Sequence, residues 1–179
     1  GTFYAHESNP ARRPVRPEVT IMGGTYNYNV GQINKPSNCI VTDNGNGTWT
    51  VSVNDYWQEG DNYYIATAAG LKWLATSVNG GTSFNGKTVK LAANIDLAGE
   101  EWTPIGVDGK RFSGTFDGND HIISGLTIRT RPEGKPQAAL FGNTALTVVI
   151  RNLTISNAEV RCPNYNGDFY GSALIGTAY

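Results

Sequence analysis

From Val19 to Val30 the chain reads VTIMGGTYNYNV, with Val19, Ile21, Tyr26, Tyr28 and Val30 set among polar or small residues, the period of a half-buried strand. Gly23 and Gly24 interrupt that run and predict a bulge or a sharp corner. In CIVTDNGNGTWTVSV, Asp43 to Gly47 separate two alternating apolar runs and have the composition of a turn with positive φ. Cys39 to Thr42 and Thr48 to Val53 are therefore expected to pair antiparallel. The period changes after Thr67. Leu71, Leu74, Ala75 and Val78 fall at i, i+3, i+4 and i+7, and Asn79-Gly80-Gly81 follows. This spacing predicts one helix of about three turns, capped by the Thr67 hydroxyl and stopped by the glycines.

Beyond the helix the pattern becomes quasi-repetitive. Three apolar-polar-apolar triplets recur: Ile95-Asp96-Leu97, Leu126-Thr127-Ile128 and Leu153-Thr154-Ile155. A second series, Pro104-Ile105-Gly106, Leu140-Phe141-Gly142 and Leu174-Ile175-Gly176, interleaves with the first at slightly wider spacing. In both series the second interval is shorter than the first. A drifting period of about 30 residues is expected of stacked coils whose corner loops vary while their strands do not. Gly142 is read as one such corner.

At these residues the chain resembles the bacterial surface proteins that carry the GLUG motif, a short glycine-bracketed apolar signature of adhesin-like and some IgA-protease-type proteins. The stretches that carry the resemblance are ATAAGLKWLATSVNGGTSFNGKTVKLAANIDLAGEEWTPIG, FSGTFDGNDHIISGLTI, AALFGNTALTVVIRNLTISNAEV and GSALIG, from Ala66 to Gly176. The resemblance implies an all-β fold, a right-handed parallel β-helix with a capping helix at its N-terminal end, preceded by a small hairpin module. Residues 1–18 are then an extended Pro/Arg-rich arm, 19–65 the strand and hairpin module, and 66–179 the capping helix and coils. GGTY and GNGTWTV are similar to a module common in such proteins. The chain departs from the family pattern at Asp120, where a Gly is usual, and at Ile122, where a Thr is usual. Asp tolerates the left-handed conformation better than most residues, and Ile122 is expected to face outward. The charged loop Arg129 to Gln137 is a third departure and a candidate contact surface, because loops of this kind lie at the surface.

Composition supports strands and turns over a helical bundle: 22 of the 179 residues are Gly and 16% are charged, which suits many short strands joined by tight turns. The formal net charge is −1, so no long-range field draws the chain to nucleic acid or an anionic membrane. No apolar run has the length of a membrane span, and the first residues show no signal-peptide pattern. The opening GTFYA and the apolar ending GSALIGTAY are expected of a piece cut from a longer chain. In the arm, Arg12, Arg13 and Arg16 lie among prolines with Glu7 and Glu18 nearby and are read as solvated. Cys39 and Cys162 fit no metal spacing; two unpaired thiols are preferred over one long-range disulfide.

Carboxylates are the first candidates for chemistry, because polysaccharide lyases and glycosidases also use β-helices. Glycoside hydrolysis needs two acids facing each other across a groove, and the candidates are Asp96, Glu100, Glu101, Asp108, Asp117 and Asp120. Asp117 and Asp120 are also the candidate metal ligands, but they belong to a DGND turn whose side chains satisfy turn backbone, and that reading is preferred. Asp96, between Ile95 and Leu97, is expected to point away from the core. His6 and His121 have no second ligand at metal spacing, and no phosphate loop or nucleophile elbow is present. The aromatic cluster Tyr56, Trp57, Tyr63 and Tyr64 can stack on sugar faces or anchor a protein; packing of the module against the helix is the preferred alternative. Trp102, beside Glu100 and Glu101, and Arg129, Arg131 and Lys135 complete the candidate ligand-binding residues. The sequence thus implies a non-enzymatic adhesin-like or scaffold segment, extracellular or on the bacterial surface, binding a glycan or a host surface protein. A carbohydrate-active enzyme or its accessory region is the second reading, and a solenoid self-associating through open ends the third. No cofactor, nucleic-acid partner or membrane insertion is implied.

Overall fold

The computed structural model describes residues 24–30, 38–129, 137–161 and 170–178. The arm 1–18, Val19 to Gly23, most of the Arg129 to Gln137 loop with Arg131 and Lys135, and Cys162 lie outside the described residues. The chain forms two compact units, 1–52 and 53–179.

In the first unit the alternating runs form a three-stranded sheet in which Trp49–Val53 lies between Gly24–Tyr26 and Cys39–Asp43. The DNGNG segment turns as its composition requires. Gly45 and Gly47 have φ of 72° and 78°, values that only a residue without a Cβ adopts freely. Asp43 Oδ1 accepts from the Gly45 N–H at 2.9 Å, and Asn46 Oδ1 from the Thr48 N–H at 3.1 Å. Cys39 and Val51 are buried.

The second unit holds the largest sheet, of five strands in the order Val149–Arg151, Thr115–Asp117, Thr88–Leu91, Asn62–Ile65, Tyr56–Glu59. Its first four strands are parallel. The last pair is an antiparallel hairpin with Tyr56 opposite Ile65 and Trp57 opposite Tyr64, reversed at Gly60, φ 59°. A three-stranded parallel sheet joins Ile95–Asp96, Ile122–Ser124 and Thr154–Ser156. Three parallel pairs follow: Thr127–Ile128 with Glu159–Val160, Gln137–Ala138 with Tyr170–Gly171, and Phe141–Thr144 with Ile175–Ala178.

The inward residues of these ladders make one core. Val89 and Phe116 lie side by side, Ile95 and Ile155 flank Ile123, and Ile105 and Ile175 flank Phe141. Phe84, Phe112, Phe141 and Phe116 form a chain of ring contacts with centroids 5.2 to 6.0 Å apart. Phe112, Phe116 and Phe141 are fully buried, each stabilising the fold by about 1.5–3 kcal/mol relative to exposure. The helix Ala68–Asn79 adds Leu71, Leu74, Ala75 and Val78 to the same cluster. Thr67 caps it as expected, its Oγ1 accepting from the Gly70 N–H at 3.2 Å and donating to Asp55 Oδ1 at 2.6 Å. Gly70 sits so close to the hairpin strand that a Cβ there would lie 2.1 Å from the Asp55 carbonyl oxygen.

The expectation of an all-β, right-handed parallel β-helix preceded by a separate hairpin module is corrected by this arrangement. Among the described residues the strands fall into six small sheets of two to five strands, two of which contain antiparallel pairs, together with one helix. Two local causes produce this. Left-handed residues at Asn119, Asp120, Asn152 and Asn157 closely follow Thr115–Asp117, Val149–Arg151 and Thr154–Ser156, so these ladders stay short. The end of the 19–65 stretch, Tyr56 to Ile65, forms a second hairpin that is built into the largest sheet as its antiparallel edge. The triplet register is corrected as well, because Ile95 and Ile155 both pair with Ile123, while Leu126 to Ile128 lies past the Gly125 corner, φ 67°. Gly142 lies inside the strand Phe141–Thr144, not at a corner.

Candidate functional site

Strand alternation divides the four hairpin aromatics between two faces. Tyr56 and Tyr63 face the helix: Tyr56 stacks on Trp73 at 3.7 Å between centroids and 10° between planes, and Tyr63 meets Trp73 and Phe84 at 6.0 and 5.1 Å. These two rings pack the hairpin onto the helix. Trp57 and Tyr64 are opposite each other on the other face, stacked at 5.0 Å and 9°.

The register carries the second face across the whole sheet. Tyr64 pairs with Lys90, Lys90 with Asp117 and Asp117 with Arg151. Trp57, Tyr64, Lys90, Asp117 and Arg151 therefore form one transverse row over five strands, about 4.8 Å apart from strand to strand. The Lys90 ammonium lies 6.0 Å from the centre of the Tyr64 ring, a cation–π arrangement. Asp117 is only 7% exposed. Its Oδ2 accepts from Arg151 Nε at 3.0 Å and Nη2 at 2.9 Å, and its Oδ1 from the Asn119 N–H at 3.0 Å and Asn152 Nδ2 at 3.1 Å. Burial alone would raise its pKa, but the donated hydrogen bonds and the Arg151 charge outweigh that and hold the carboxyl below its ordinary value.

The remaining candidates are placed elsewhere. Trp102 is 4% exposed, its indole N–H donating to the Leu140 carbonyl at 3.2 Å, and it walls a cleft of about 250 Å³ with Lys72, Ala75, Thr76, Asn79, Glu101 and Thr103. The polar lining is largely occupied by the protein. Lys72 pairs with Glu100, and the Glu101 carboxylate accepts from the Arg129 N–H. The Asn79 amide donates to the Pro104 carbonyl at 3.1 Å and accepts from the Gly106 and Val107 N–H groups at 2.8 and 3.2 Å. Arg129 is exposed but pinned to Glu159 through Nε at 3.1 Å and Nη2 at 2.7 Å. That contact raises its own pKa and lowers that of Glu159.

Among the candidate acids, Asp96 is exposed as expected and its Oδ1 accepts from the Ala98 N–H at 2.9 Å and Ser124 Oγ at 3.3 Å. Glu100 is held low by its hydrogen bond and charge contact with Lys72. Asp120 adopts φ 62° in its turn, and Ile122 faces outward at 38% exposure. Asp117 spends both carboxylate oxygens on protein donors, which leaves a cation little to bind. Among the described residues no group of three His, Cys, Asp or Glu is arranged to hold a metal. Lys90, Arg151 and Trp73 were missed by sequence reasoning. Lys90 and Arg151 could be joined to Tyr64 only through the register, because each step along the row crosses to a strand from a distant part of the chain.

No family model matches the chain, and no solved structure is similar to it. Two curated proteins match part of it. A protein named as a Gly-rich membrane protein of Evansella cellulosilytica is 34% identical over 95 residues, 52% of this chain and 11% of that protein. Halomucin of Haloquadratum walsbyi is 31% identical over 107 residues, 54% of this chain and 1% of its own length. The chain thus spans a small part of each relative. Among the described residues no helix is long and apolar enough to cross a membrane.

Proposed function

We propose that this chain is a non-enzymatic segment of a cell-surface or secreted protein and that the outer face of its five-stranded sheet binds glycan. The observation that carries this reading is the transverse row, in which Trp57 and Tyr64 stand beside Lys90 and an Asp117–Arg151 pair. Stacked rings next to fixed polar groups offer apolar contact to a sugar face and hydrogen bonds to its hydroxyls. The names of the two partial relatives, a membrane protein and a halomucin, support a place at the cell envelope. Two of the acids sought for hydrolysis, Glu100 and Asp117, are shifted downward, whereas a general acid working near neutral pH needs a raised pKa.

The test is incubation of the full chain with a panel of polysaccharides, measuring both retention on the glycan and release of new chain ends. Retention without release, lost in Trp57→Ala, is the expected outcome. Release of new ends would overturn the non-enzymatic reading, and an absence of retention across the panel would overturn glycan binding.

A further inference from the structure

The charge on the row is asymmetric. Among the described residues Lys90 has no ion-pair partner; its contact is the Tyr64 ring. The nearest carboxylate in register, Asp117, is already spent on Arg151, Asn152 and the Asn119 N–H. Asp117 is also sunken, with its side chain 10% exposed against 55% for Arg151. Arg151 directs two of its five donors at one oxygen of Asp117, and the rest of the guanidinium stays available. Toward solvent the row therefore presents two cations, while its single carboxylate lies beneath them.

The adjacent row on the same face, in register, is Glu59, Asn62, Thr88, Thr115 and Val149. Its one acid stands at the hairpin edge, two strands from Lys90. Nearby, Lys87 and Asp61 neutralise each other. Nothing in that row cancels the charge of Lys90 and Arg151.

Resting on the glycan-binding reading above, we infer that the ligand is an acidic polysaccharide laid across the strands, its carboxylate or sulfate groups met by Lys90 and Arg151 while a sugar ring contacts Trp57 and Tyr64. Lys90 and Arg151 stand on strands two spacings apart, about 9.6 Å at the backbone, so each can meet a separate anionic group of one polymer. Nucleic acid fits less well, since its binding draws on a longer series of phosphate contacts than two cations provide. The aromatic pair and the cations act on different parts of the same ligand, so sugar contact and charge contact are separable by mutation.

The experiment is a titration of the full chain with four polymers: a polyuronate, the same polyuronate with its carboxylates reduced to alcohols, a sulfated polysaccharide and single-stranded DNA. The polyuronate is expected to bind at least about tenfold more tightly than its reduced form, and Lys90→Gln to weaken it about five- to tenfold, as loss of one charge-assisted contact does. Binding should fall with added salt, with a shallower dependence in Lys90→Gln. The variant should melt with the parent, which keeps a folding defect from imitating lost binding. If the sulfated polymer binds and the polyuronate does not, sulfate is the group recognised and the acidic-polysaccharide assignment stands. Equal binding of the reduced polymer would overturn anion recognition while leaving glycan binding intact, and failure of every polysaccharide would remove both. Tighter binding of DNA, or acidic binding indifferent to Lys90→Gln, would overturn the assignment of this ligand to this row.

Discussion

Removal of the Asp117 carboxylate tests the row as a structural unit before any ligand is added. In Asp117→Ala four contacts are lost: two from Arg151 and one each from Asn152 and the Asn119 N–H. Hydrogen bonds to a charged group contribute about 1.5–3 kcal/mol each, but the contacts share one acceptor and do not add. The groups left behind also remain close to water, because Arg151 is 55% exposed and Asn119 lies in an exposed turn. The cost therefore falls below the roughly 3–5 kcal/mol typical of breaking a fully buried pair, at about 2 kcal/mol. For a chain of this size that lowers the melting temperature by about 4–8 °C.

The same group sets a pH dependence. Its folded pKa lies below the ordinary 3.8, so its stabilisation is complete above the unfolded value, near pH 5 and higher, and disappears as pH falls through the lower folded value. The assay is thermal unfolding followed by circular dichroism, wild type against Asp117→Ala, from pH 7 down to pH 2. The difference between the two should be largest at pH 7 and shrink below pH 4. A difference under about 0.5 kcal/mol at pH 7, the ordinary scale of a surface substitution, or one that grows in acid, would refute the reasoning.

Other substitutions probe the fold away from the row. Gly106→Ala forces φ 84° on an alanine and places a Cβ 2.3 Å from the Asn143 carbonyl oxygen; a loss of about 2–3 kcal/mol is expected in urea unfolding. Asn79→Ala frees the Pro104 carbonyl and two backbone N–H groups and should cost about 2 kcal/mol, with hydrogen exchange rising at Gly106 and Val107. Thr144→Val should act in the opposite sense: Thr144 is fully buried with a hydroxyl that meets no partner, so a valine of like shape is expected to raise the melting temperature by about 2–4 °C.

Legibility followed the range of each interaction. The helix was readable because its cap, its apolar stripe and its stop all lie between Thr67 and Gly81, and Thr67, Leu71, Leu74, Ala75 and Val78 serve as their spacing implied. The Asp43 to Gly47 turn and the left-handed Asp120 were readable for the same local reason. The pairing of Ile105, Phe141 and Ile175 aligns the positions that the proline- and glycine-marked series aligned.

What failed was register between similar segments. IIS at 122–124 and LTI at 126–128 are both short stretches of two apolar residues and one polar residue, and a single corner decides which of them pairs with Ile95. The fold class failed at the same level, since local periods do not reveal that a hairpin becomes the edge of a larger sheet. For the site, the aromatics were legible as a cluster, but Lys90 and Arg151 join it only through pairings between segments far apart in the chain. Trp102 drew attention as a lone aromatic beside two acids; in the structure it is a buried wall.

The most direct test of the central claim is a two-dimensional amide spectrum of the labelled chain titrated with an acidic oligosaccharide. The indole N–H groups of Trp49, Trp57, Trp73 and Trp102 give four separate probes. Movement of the Trp57 indole together with the backbone signals of Tyr64, Lys90 and Arg151, with Trp102 unmoved, is the result this account expects. Movement centred on Trp102 and the Lys72 to Asn79 face of the helix would instead place the ligand in the cleft and contradict the assignment of the site to the sheet.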